Sequence, residues 1–470
     1  MNSSTPSREH DVIVIGGGSG GYAAARTTAA AGLNTAVIEG GAEVGGLCIL
    51  RGCMPTKALL QAAEVRHHAR HADRWGLPPA AMGFDWNAVM AWKDRHIRDF
   101  ADYRAGQLQD GRFAFYRAGA RFLDPHTVAL GTGETLRARH FVISTGSRVA
   151  PVPLPALAGA GFLTSDDALT LAEPPRSLIV LGGGAVGVEF AQFFARCDVR
   201  VTLIQRGPRL LRDLDPDASA VVEQVLRREG VEVFTGTQLV DAWRGPQGRG
   251  VAFQHGDVLR RIEADHILHA LGRQPNTATL DPARAGLATD GGRLPTNEHM
   301  RTNVPHIYAA GDCTSPYEVV HLAVLQGEIA GHNIVHPTQP RAIDYRLLLN
   351  VVFTEPQAAT VGLTEKEATA RGIPFRAAHY PFADHGKSLL MEARDGFVKL
   401  LADPVSGEIL GGACVGPAGG ELIHEITVAM ARRMTVQELA AVPHYHPTLA
   451  EIWTYPAEEL AQQVSASAGS

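Results

Sequence analysis

The 470-residue chain has few cysteines, no strong excess of charge and no long uncharged apolar run. Five cysteines are too few for the disulfide framework of a secreted scaffold, and 45% apolar residues can form large cores without one. A net charge of −6 excludes a general electrostatic grip on nucleic acid or anionic membranes. No uncharged apolar run reaches the roughly 18 residues of a spanning helix, and MNSSTPSREHD lacks the apolar core of a secretory signal. We therefore expect a cytoplasmic protein in which any functional disulfide is catalytic.

Glycine, by contrast, is abundant and clustered. The first cluster follows the apolar run DVIVI and precedes a helical stretch, and the same order of strand, Gly-rich turn, helix and strand returns at 177–205. From about residue 345, short apolar runs alternate with turns, and helical stretches follow from 419. The sequence therefore predicts an α/β chain with two Rossmann-like dinucleotide-binding domains and a C-terminal α+β domain. The predicted segments are 1–150 and 276–345 for the first domain, 151–275 for the second and 346–470 for the third.

The first glycine cluster has the pattern GxGxxG between a strand and a helix. Its glycines are Gly16, Gly18 and Gly21. They permit a tight turn, close approach of a pyrophosphate and close helix–strand packing. Glu39 ends the next strand, where a carboxylate accepts hydrogen bonds from ribose hydroxyls. This constellation predicts a dinucleotide site.

The second cluster repeats the pattern with a different residue at the ribose position. Its glycines are Gly182, Gly184 and Gly187. Gln205 stands where the first site has Glu39, and Arg206 and Arg212 follow it. An uncharged residue with arginines favours the 2′-phosphate of NADP(H). A glycine at the third position is more typical of NAD(H), so both nicotinamides stay open, as does a solvated role for the arginines.

A pair of cysteines, Cys48 and Cys53, directly follows the first strand–helix–strand unit. Their CxxxxC spacing lets two thiols meet across about one helical turn. No second Cys/His pair lies at ligand spacing, so a zinc site is not predicted and the metal prediction is none. A redox-active pair is favoured over a structural disulfide, because the compartment is reducing, and over two inert buried thiols.

The segment GGLCILRGCMPTKALL (45–60) resembles the signature of the flavoprotein disulfide reductases, the class I pyridine nucleotide-disulfide oxidoreductases. The resemblance extends from about residue 10 to 460. Further motifs that carry it are TGS (145–147), ALGRQPN (270–276), TNVPHIYAAGDC (302–313) and HYHPTLAE (444–451). It implies FAD in the first domain, NAD(H) or NADP(H) in the second, and dimerisation through the third.

The resemblance also assigns roles to single residues. Cys53 is the thiol that faces the flavin, and Cys48 is the thiol that exchanges with substrate. His446 is the acid–base, and Glu451 orients its ring. In the family this dyad comes from the partner subunit, which implies a homodimer with a shared active site. Lys57 pairs with Glu189 near the reactive flavin edge. The remaining cofactor residues are Thr145, Gly146, Asp312, which holds the ribityl chain, and Gly272.

The motifs are most similar to those of dihydrolipoamide dehydrogenases, which implies a small disulfide or dithiol substrate such as lipoamide or a lipoyl protein. Two reductases remain as alternatives: an NADPH-dependent reductase similar to glutathione reductase, and a metal-ion reductase similar to mercuric reductase. A non-enzymatic alternative is a redox-sensing flavoprotein whose dithiol signals without turnover. The intact His446–Glu451 motif argues against a sensor, since a sensor needs no acid–base for substrate.

Overall fold

The computed structural model describes residues 8–246, 248–314 and 317–468, so the first seven residues of the N-terminal segment lie outside it. Its strands are β1 (Arg8–Ile15), β2 (Thr35–Glu39), β3 (Ala114–Arg117), β4 (Ala120–Asp124), β5 (Thr127–Leu130), β6 (Thr135–Ile143), β7 (Ser147–Val149), β8 (Ser177–Leu181), β9 (Arg200–Ile204), β10 (Glu232–Phe234), β11 (Thr237–Gly245), β12 (Gly248–His255), β13 (Val258–Ala264), β14 (His266–His269), β15 (Arg273–Pro275), β16 (Ile307–Ala309), β17 (Leu349–Val352), β18 (Gln357–Gly362), β19 (Arg376–Pro381), β20 (Phe397–Ala402) and β21 (Ile409–Gly416). Its α-helices are α1 (Ser19–Ala30), α2 (Gly46–Arg51), α3 (Cys53–Arg70), α4 (Trp86–Gln109), α5 (Pro155–Ala160), α6 (Ser165–Ala168), α7 (Ala185–Arg196), α8 (Pro216–Arg228), α9 (Val320–Val335), α10 (Glu365–Ala370), α11 (Gly386–Leu390), α12 (Gly419–Ala431), α13 (Val436–Ala440) and α14 (Thr454–Ala468).

One compact unit consists of Met1–Thr56, Met90–Pro151 and Gly272–Asp344. Its main sheet has the order β3-β2-β1-β6-β5-β4, and β16 pairs in parallel with β6. Strands β3, β2, β1 and β6 are parallel, and the apolar residues of β2, β1 and β6 are buried, as expected where helices cover a parallel sheet. Helices α1 and α9 pack closely against each other. A small antiparallel pair, β7 with β15, completes this unit.

The other compact unit consists of Lys57–Val89, Val152–Leu271 and Tyr345–Ser470. Its parallel sheet has the order β10-β9-β8-β14, and an antiparallel meander, β11-β12-β13, lies between β10 and β14 in sequence. A core of buried residues from both sheets includes Ile179, Phe253 and Ile267. The strand–turn–helix–strand order of the first unit is therefore repeated here.

The C-terminal part of this unit is an antiparallel sheet with the order β17-β18-β21-β20-β19. Helices α12, α13 and α14 contribute apolar residues to its core, and the fully buried Trp453 is the largest side chain there. The α/β fold class with a C-terminal α+β domain is thus confirmed. Among the described residues, no helix is both long and apolar enough to cross a bilayer.

Candidate functional site

The first glycine-rich turn has the geometry of a dinucleotide site. Gly16 has a φ of +106°, and a Cβ there would lie 2.2 Å from the carbonyl oxygen of Ser144. A Cβ at Gly21 would lie 1.8 Å from the oxygen of Gly16, so neither position accepts a side chain. Gly18 is the N-cap of α1, which directs that helix's N-terminus at the turn. The close approach of backbone atoms therefore requires glycine at these two positions of the turn.

Glu39 lies at the end of β2 beside this turn. Its Oε2 accepts a hydrogen bond from the backbone N–H of Gly17 at 2.8 Å, and its Oε1 accepts one from Gly41 at 2.7 Å. A cavity of about 600 Å³ opens here, within the usual range for ligand pockets, and its lining includes Glu39, Thr145 and Gly146. The carboxylate, the glycine turn and the cavity fit one end of a dinucleotide such as FAD.

Asp312 and Gly272 lie in the same unit as this cavity. The hydroxyl of Ser147 donates to Oδ2 of Asp312 at 2.6 Å and accepts from Nε of Arg273 at 2.8 Å. Gly272 directly precedes Arg273 and accepts a backbone hydrogen bond from Ala150 at 3.1 Å. The TGS, ALGRQPN and GDC motifs are thus brought together by these contacts.

The second glycine-rich turn repeats the first. Gly182 has a φ of +109°, and a Cβ there would lie 2.3 Å from the oxygen of Ala270. A Cβ at Gly187 would lie 1.8 Å from the oxygen of Gly182, and Gly184 is the N-cap of α7. Gln205 Oε1 accepts from the N–H of Gly183 at 3.0 Å, as Glu39 does from Gly17. Gln205 therefore occupies the position predicted for the ribose-binding residue.

The arginines after Gln205 differ in environment. Arg206 is exposed, and Arg212 is 77% exposed with its Nε 3.6 Å from a carboxylate oxygen of Asp213. Arg209 instead donates to the backbone oxygens of Arg212 and Leu214 and so supports the loop. The side chains of Arg206 and Arg212 are therefore both open to solvent.

The two predicted redox cysteines lie on successive helices. Cys48 belongs to α2, Cys53 is the first residue of α3, and both are half-buried. Gly52 joins the helices, and a Cβ there would lie 3.0 Å from the oxygen of Leu47 and 3.3 Å from the Cα of Cys48. The chain before Cys53 therefore packs back on the turn that carries Cys48.

The other three cysteines are core residues, as their isolation in the sequence predicts. Cys197, Cys313 and Cys414 are buried. Burial raises the pKa of each of these thiols, which keeps them protonated and unreactive.

Lys57 and Glu189 form the predicted pair. Nζ of Lys57 lies 2.8 Å from Oε2 of Glu189, and it also lies over the ring of Phe353 at 4.5 Å. The side chain of Glu189 is only 5% exposed, and its Oε1 accepts the backbone N–H of Phe353 at 2.9 Å. Both carboxylate oxygens are therefore satisfied, which is what a buried charge requires.

His446 and Glu451 also form the predicted dyad. Nδ1 of His446 lies 2.8 Å from Oε2 of Glu451. The carboxylate is 10% exposed, whereas the His446 side chain is 78% exposed, so Nε2 is presented outward. His444 instead pairs with Glu425 and with the backbone oxygen of Val442, a role in loop support.

One polar contact of this dyad was not predicted. The fully buried His385 has its Nε2 3.3 Å from Oε1 of Glu451. His385 lies in the short turn before α11, far from the HYHPTLAE motif in sequence, and its neighbours follow no recognisable spacing. Only the fold brings it to the dyad.

Comparisons with known proteins agree with these features. Residues 10–327 match the pyridine nucleotide-disulphide oxidoreductase family, and residues 349–457 match that family's dimerisation domain, which supports a homodimer. The dihydrolipoyl dehydrogenase of Thermus scotoductus is 37% identical over 461 residues, covering 97% of this chain and 98% of that protein. One from Bacillus subtilis is 34% identical over 456 residues, covering 96% of each chain.

A solved structure leads to the same family. The HOCl-induced flavoprotein disulfide reductase RclA from Escherichia coli has a TM-score of 0.84 and 25% identity, covering 95% of this chain and 99% of that one. These comparisons favour an enzyme over the alternative of a redox sensor. The chain therefore belongs to the pyridine nucleotide-disulphide oxidoreductase family, and it is a FAD-dependent disulfide oxidoreductase similar to dihydrolipoyl dehydrogenases.

Proposed function

We propose that the enzyme exchanges two electrons between a pyridine nucleotide and dihydrolipoamide or a lipoyl protein, through Cys48 and Cys53. The relatives named dihydrolipoyl dehydrogenase support this substrate. The observation that carries the proposal is the hydrogen-bonded His446–Glu451 dyad with an exposed imidazole, since a thiol substrate needs an accessible acid–base.

The thiol chemistry requires two exchanges. A substrate thiolate attacks Cys48 in the Cys48–Cys53 disulfide, forms a mixed disulfide and releases Cys53 as thiolate. The second substrate thiol then attacks the substrate sulfur of the mixed disulfide, which releases Cys48 and a cyclic substrate disulfide. Two electrons have moved from the substrate dithiol to the protein dithiol. The N-terminus of α3, which begins at Cys53, stabilises the thiolate there.

His446 manages the protons of these exchanges. Its Nε2 removes the proton of the attacking substrate thiol and returns one to the Cys48 thiolate when that sulfur leaves. Glu451 accepts a hydrogen bond from Nδ1–H of His446, which keeps the proton on Nδ1 and leaves Nε2 available as a base. Because the dyad lies in the dimerisation domain, we propose that His446 of the partner subunit serves each cysteine pair.

The cofactors belong to the two glycine turns. When bound in the first turn, FAD would supply the two-electron hydride chemistry that connects a pyridine nucleotide with a dithiol. The residues that would hold FAD are Gly16, Gly18, Gly21, Glu39, Thr145, Gly146, Gly272 and Asp312, with Lys57 and Glu189 near its reactive edge. Those for the pyridine nucleotide are Gly182, Gly184, Gly187, Gln205, Arg206 and Arg212. We also propose the four-segment domain division given above. We further propose that the protein is cytoplasmic, since thiols stay reduced in that compartment.

The deciding experiment assays the purified protein with NADH and NADPH against lipoamide, oxidised glutathione and Hg²⁺. We expect lipoamide turnover to exceed both alternatives, and Cys48→Ser to abolish it. Faster turnover with oxidised glutathione would favour the glutathione-reductase-like alternative, and faster turnover with Hg²⁺ would favour the mercuric-reductase-like one.

A further inference from the structure

The Glu451 carboxylate faces two imidazoles, of which only one belongs to the predicted dyad. Oε2 lies 2.8 Å from Nδ1 of His446, and Oε1 lies 3.3 Å from Nε2 of His385. The second contact is close enough for an ion pair but does not have hydrogen-bond geometry, so among the described residues the buried Nε2 of His385 has no hydrogen-bond partner. Hydrogen bonds of catalytic groups are often loose without substrate and tighten in the complex.

The far side of His385 contacts a hydroxyl that is compatible with either tautomer of the ring. Nδ1 lies 2.8 Å from Oγ of Ser388, which is buried like His385 itself. Burial lowers the pKa of His385 although the Glu451 carboxylate acts to raise it, so the ring is neutral at physiological pH and carries one N–H. If the Ser388 hydroxyl donates to Nδ1, that proton is on Nε2 and points at Glu451. The other tautomer would place a lone pair against the carboxylate.

Two aromatic rings pack against His385. The rings of Phe382 and Tyr455 face His385 edge-on, with centroids 6.5 and 6.4 Å away. Besides Tyr455, the titratable groups that act on His385 are Glu451 and His446. In the part of the chain that the structure describes, no lysine or arginine nitrogen lies within 4.0 Å of the Glu451 carboxylate. Within the described ranges, the side chains that form ion pairs with this carboxylate are thus two histidines.

We propose that His385 is a positioning residue of the acid–base system: its Nε2–H donates to Oε1 of Glu451 and holds Oε2 toward His446. This inference rests on the proposed role of His446. A carboxylate that accepts two hydrogen bonds is a weaker acceptor for each of them. His385 therefore both orients Glu451 and limits how strongly it favours the protonated form of His446.

The test compares His385→Leu, which removes the donor, with His385→Gln, whose amide nitrogen can donate from a similar position. His379→Leu is the matched control, because His379 is exposed on β19. Two measurements report whether each variant is folded. One is the amount of FAD that it binds, and the other is its rate of NADH oxidation by ferricyanide, a reaction that bypasses the dithiol. Lipoamide turnover is then measured as a function of pH.

We expect His385→Leu to lower kcat with lipoamide roughly tenfold, the effect of losing one hydrogen bond to a charged group. The acidic limb of its pH–kcat profile should move to higher pH, because Glu451 then favours protonated His446 more strongly. His385→Gln should restore most of both properties, and His379→Leu should match the wild type.

An unshifted pH profile in His385→Leu overturns the inference, and so does equal loss in the Leu and Gln variants. The variant His446→Ala distinguishes a wrong acid–base from a wrong role of His385. If that variant retains wild-type lipoamide turnover, the proposed acid–base itself is wrong. If it is inactive while His385→Leu is unaffected, only the inference about His385 is wrong.

Discussion

The ion pair between His68 and Glu355 should make the stability of this protein depend on pH above neutrality. Nε2 of His68 lies 2.9 Å from Oε1 of Glu355, and Nη1 of Arg196 lies 2.6 Å from the other carboxylate oxygen. The hydrogen bond that His68 donates to Glu355, together with a weaker contact to Glu64, raises the pKa of His68 to about 9. Although burial acts to raise the pKa of Glu355, its bonds with His68 and Arg196 lower it to about 2.

The direction in which stability changes with pH follows from the pKa of His68 in the folded and unfolded states. Because the folded value of about 9 lies above the ordinary value of 6.5, the stabilisation is complete below about pH 6.5 and is lost as pH rises through about 9. The full shift corresponds to roughly 3 kcal/mol. Since His68 is 39% exposed, solvent screening reduces this to about 1 kcal/mol at pH 7.

The perturbation is His68→Gln, with His71→Gln as a control, since His71 is exposed one turn further along. Such a free energy corresponds to a Tm difference of about 2–4 °C for a domain of this size. We expect the wild type to exceed His68→Gln by that amount near pH 7, and the difference to vanish toward pH 10. Burial lowers the pKa of the neighbouring His67 to about 3, so it stays neutral throughout. A Tm difference that is constant from pH 7 to 10 would refute the reasoning.

Three further predictions concern the site. Cys48→Ser should abolish lipoamide reduction yet leave NADH–ferricyanide activity, because only the first needs the dithiol; this is checked by paired steady-state assays. His446→Ala should lower lipoamide turnover by about 10²–10⁴-fold, with a smaller loss in Glu451→Ala, measured as kcat at saturating lipoamide. Arg206→Ala with Arg212→Ala should raise KM for NADPH and leave KM for NADH unchanged, because only NADPH carries a 2′-phosphate.

Each of these has an outcome that would contradict it. Lipoamide reduction by Cys48→Ser would move the exchange thiol elsewhere, and near-normal turnover in His446→Ala would do the same for the acid–base. If the wild type strongly prefers NADH and the double arginine variant changes neither KM, both arginines are only a solvated surface. His444→Ala is a control for loop effects on the dyad, because His444 binds Glu425.

The parts of the site that could be predicted from sequence are those encoded by local spacing. The glycine turns are such a case. Gly16 and Gly182 have φ values of +106° and +109°, which favour glycine, so a glycine in the sequence already indicates this backbone conformation. The family motifs likewise marked Lys57 and Glu189, which lie far apart in sequence but form an ion pair. The roles of these residues, and the four-segment domain division, stay predictions.

What could not be predicted depends on tertiary packing. In the meander β11–β13, the first four residues of β13 are exposed although two of them are apolar. Its apolar residues therefore do not mark a buried face in the sequence. His385 carries no local signal, because its importance comes from Glu451 and Ser388, which reach it only in the folded chain. A lone histidine in a sequence indicates neither burial nor contact with a carboxylate.

The two glycine turns have a consequence for the history and the engineering of this chain. In one turn Glu39 accepts a hydrogen bond from the N–H of Gly17, and in the other Gln205 accepts one from the N–H of Gly183. After a duplication, exchange of one carboxylate oxygen for an amide nitrogen is thus enough to remove a negative charge from one copy while its backbone keeps the same hydrogen bond. Gln205→Glu would therefore return a negative charge to the ribose position of the second turn without rebuilding that turn, because the first turn already carries a glutamate in the same hydrogen bond.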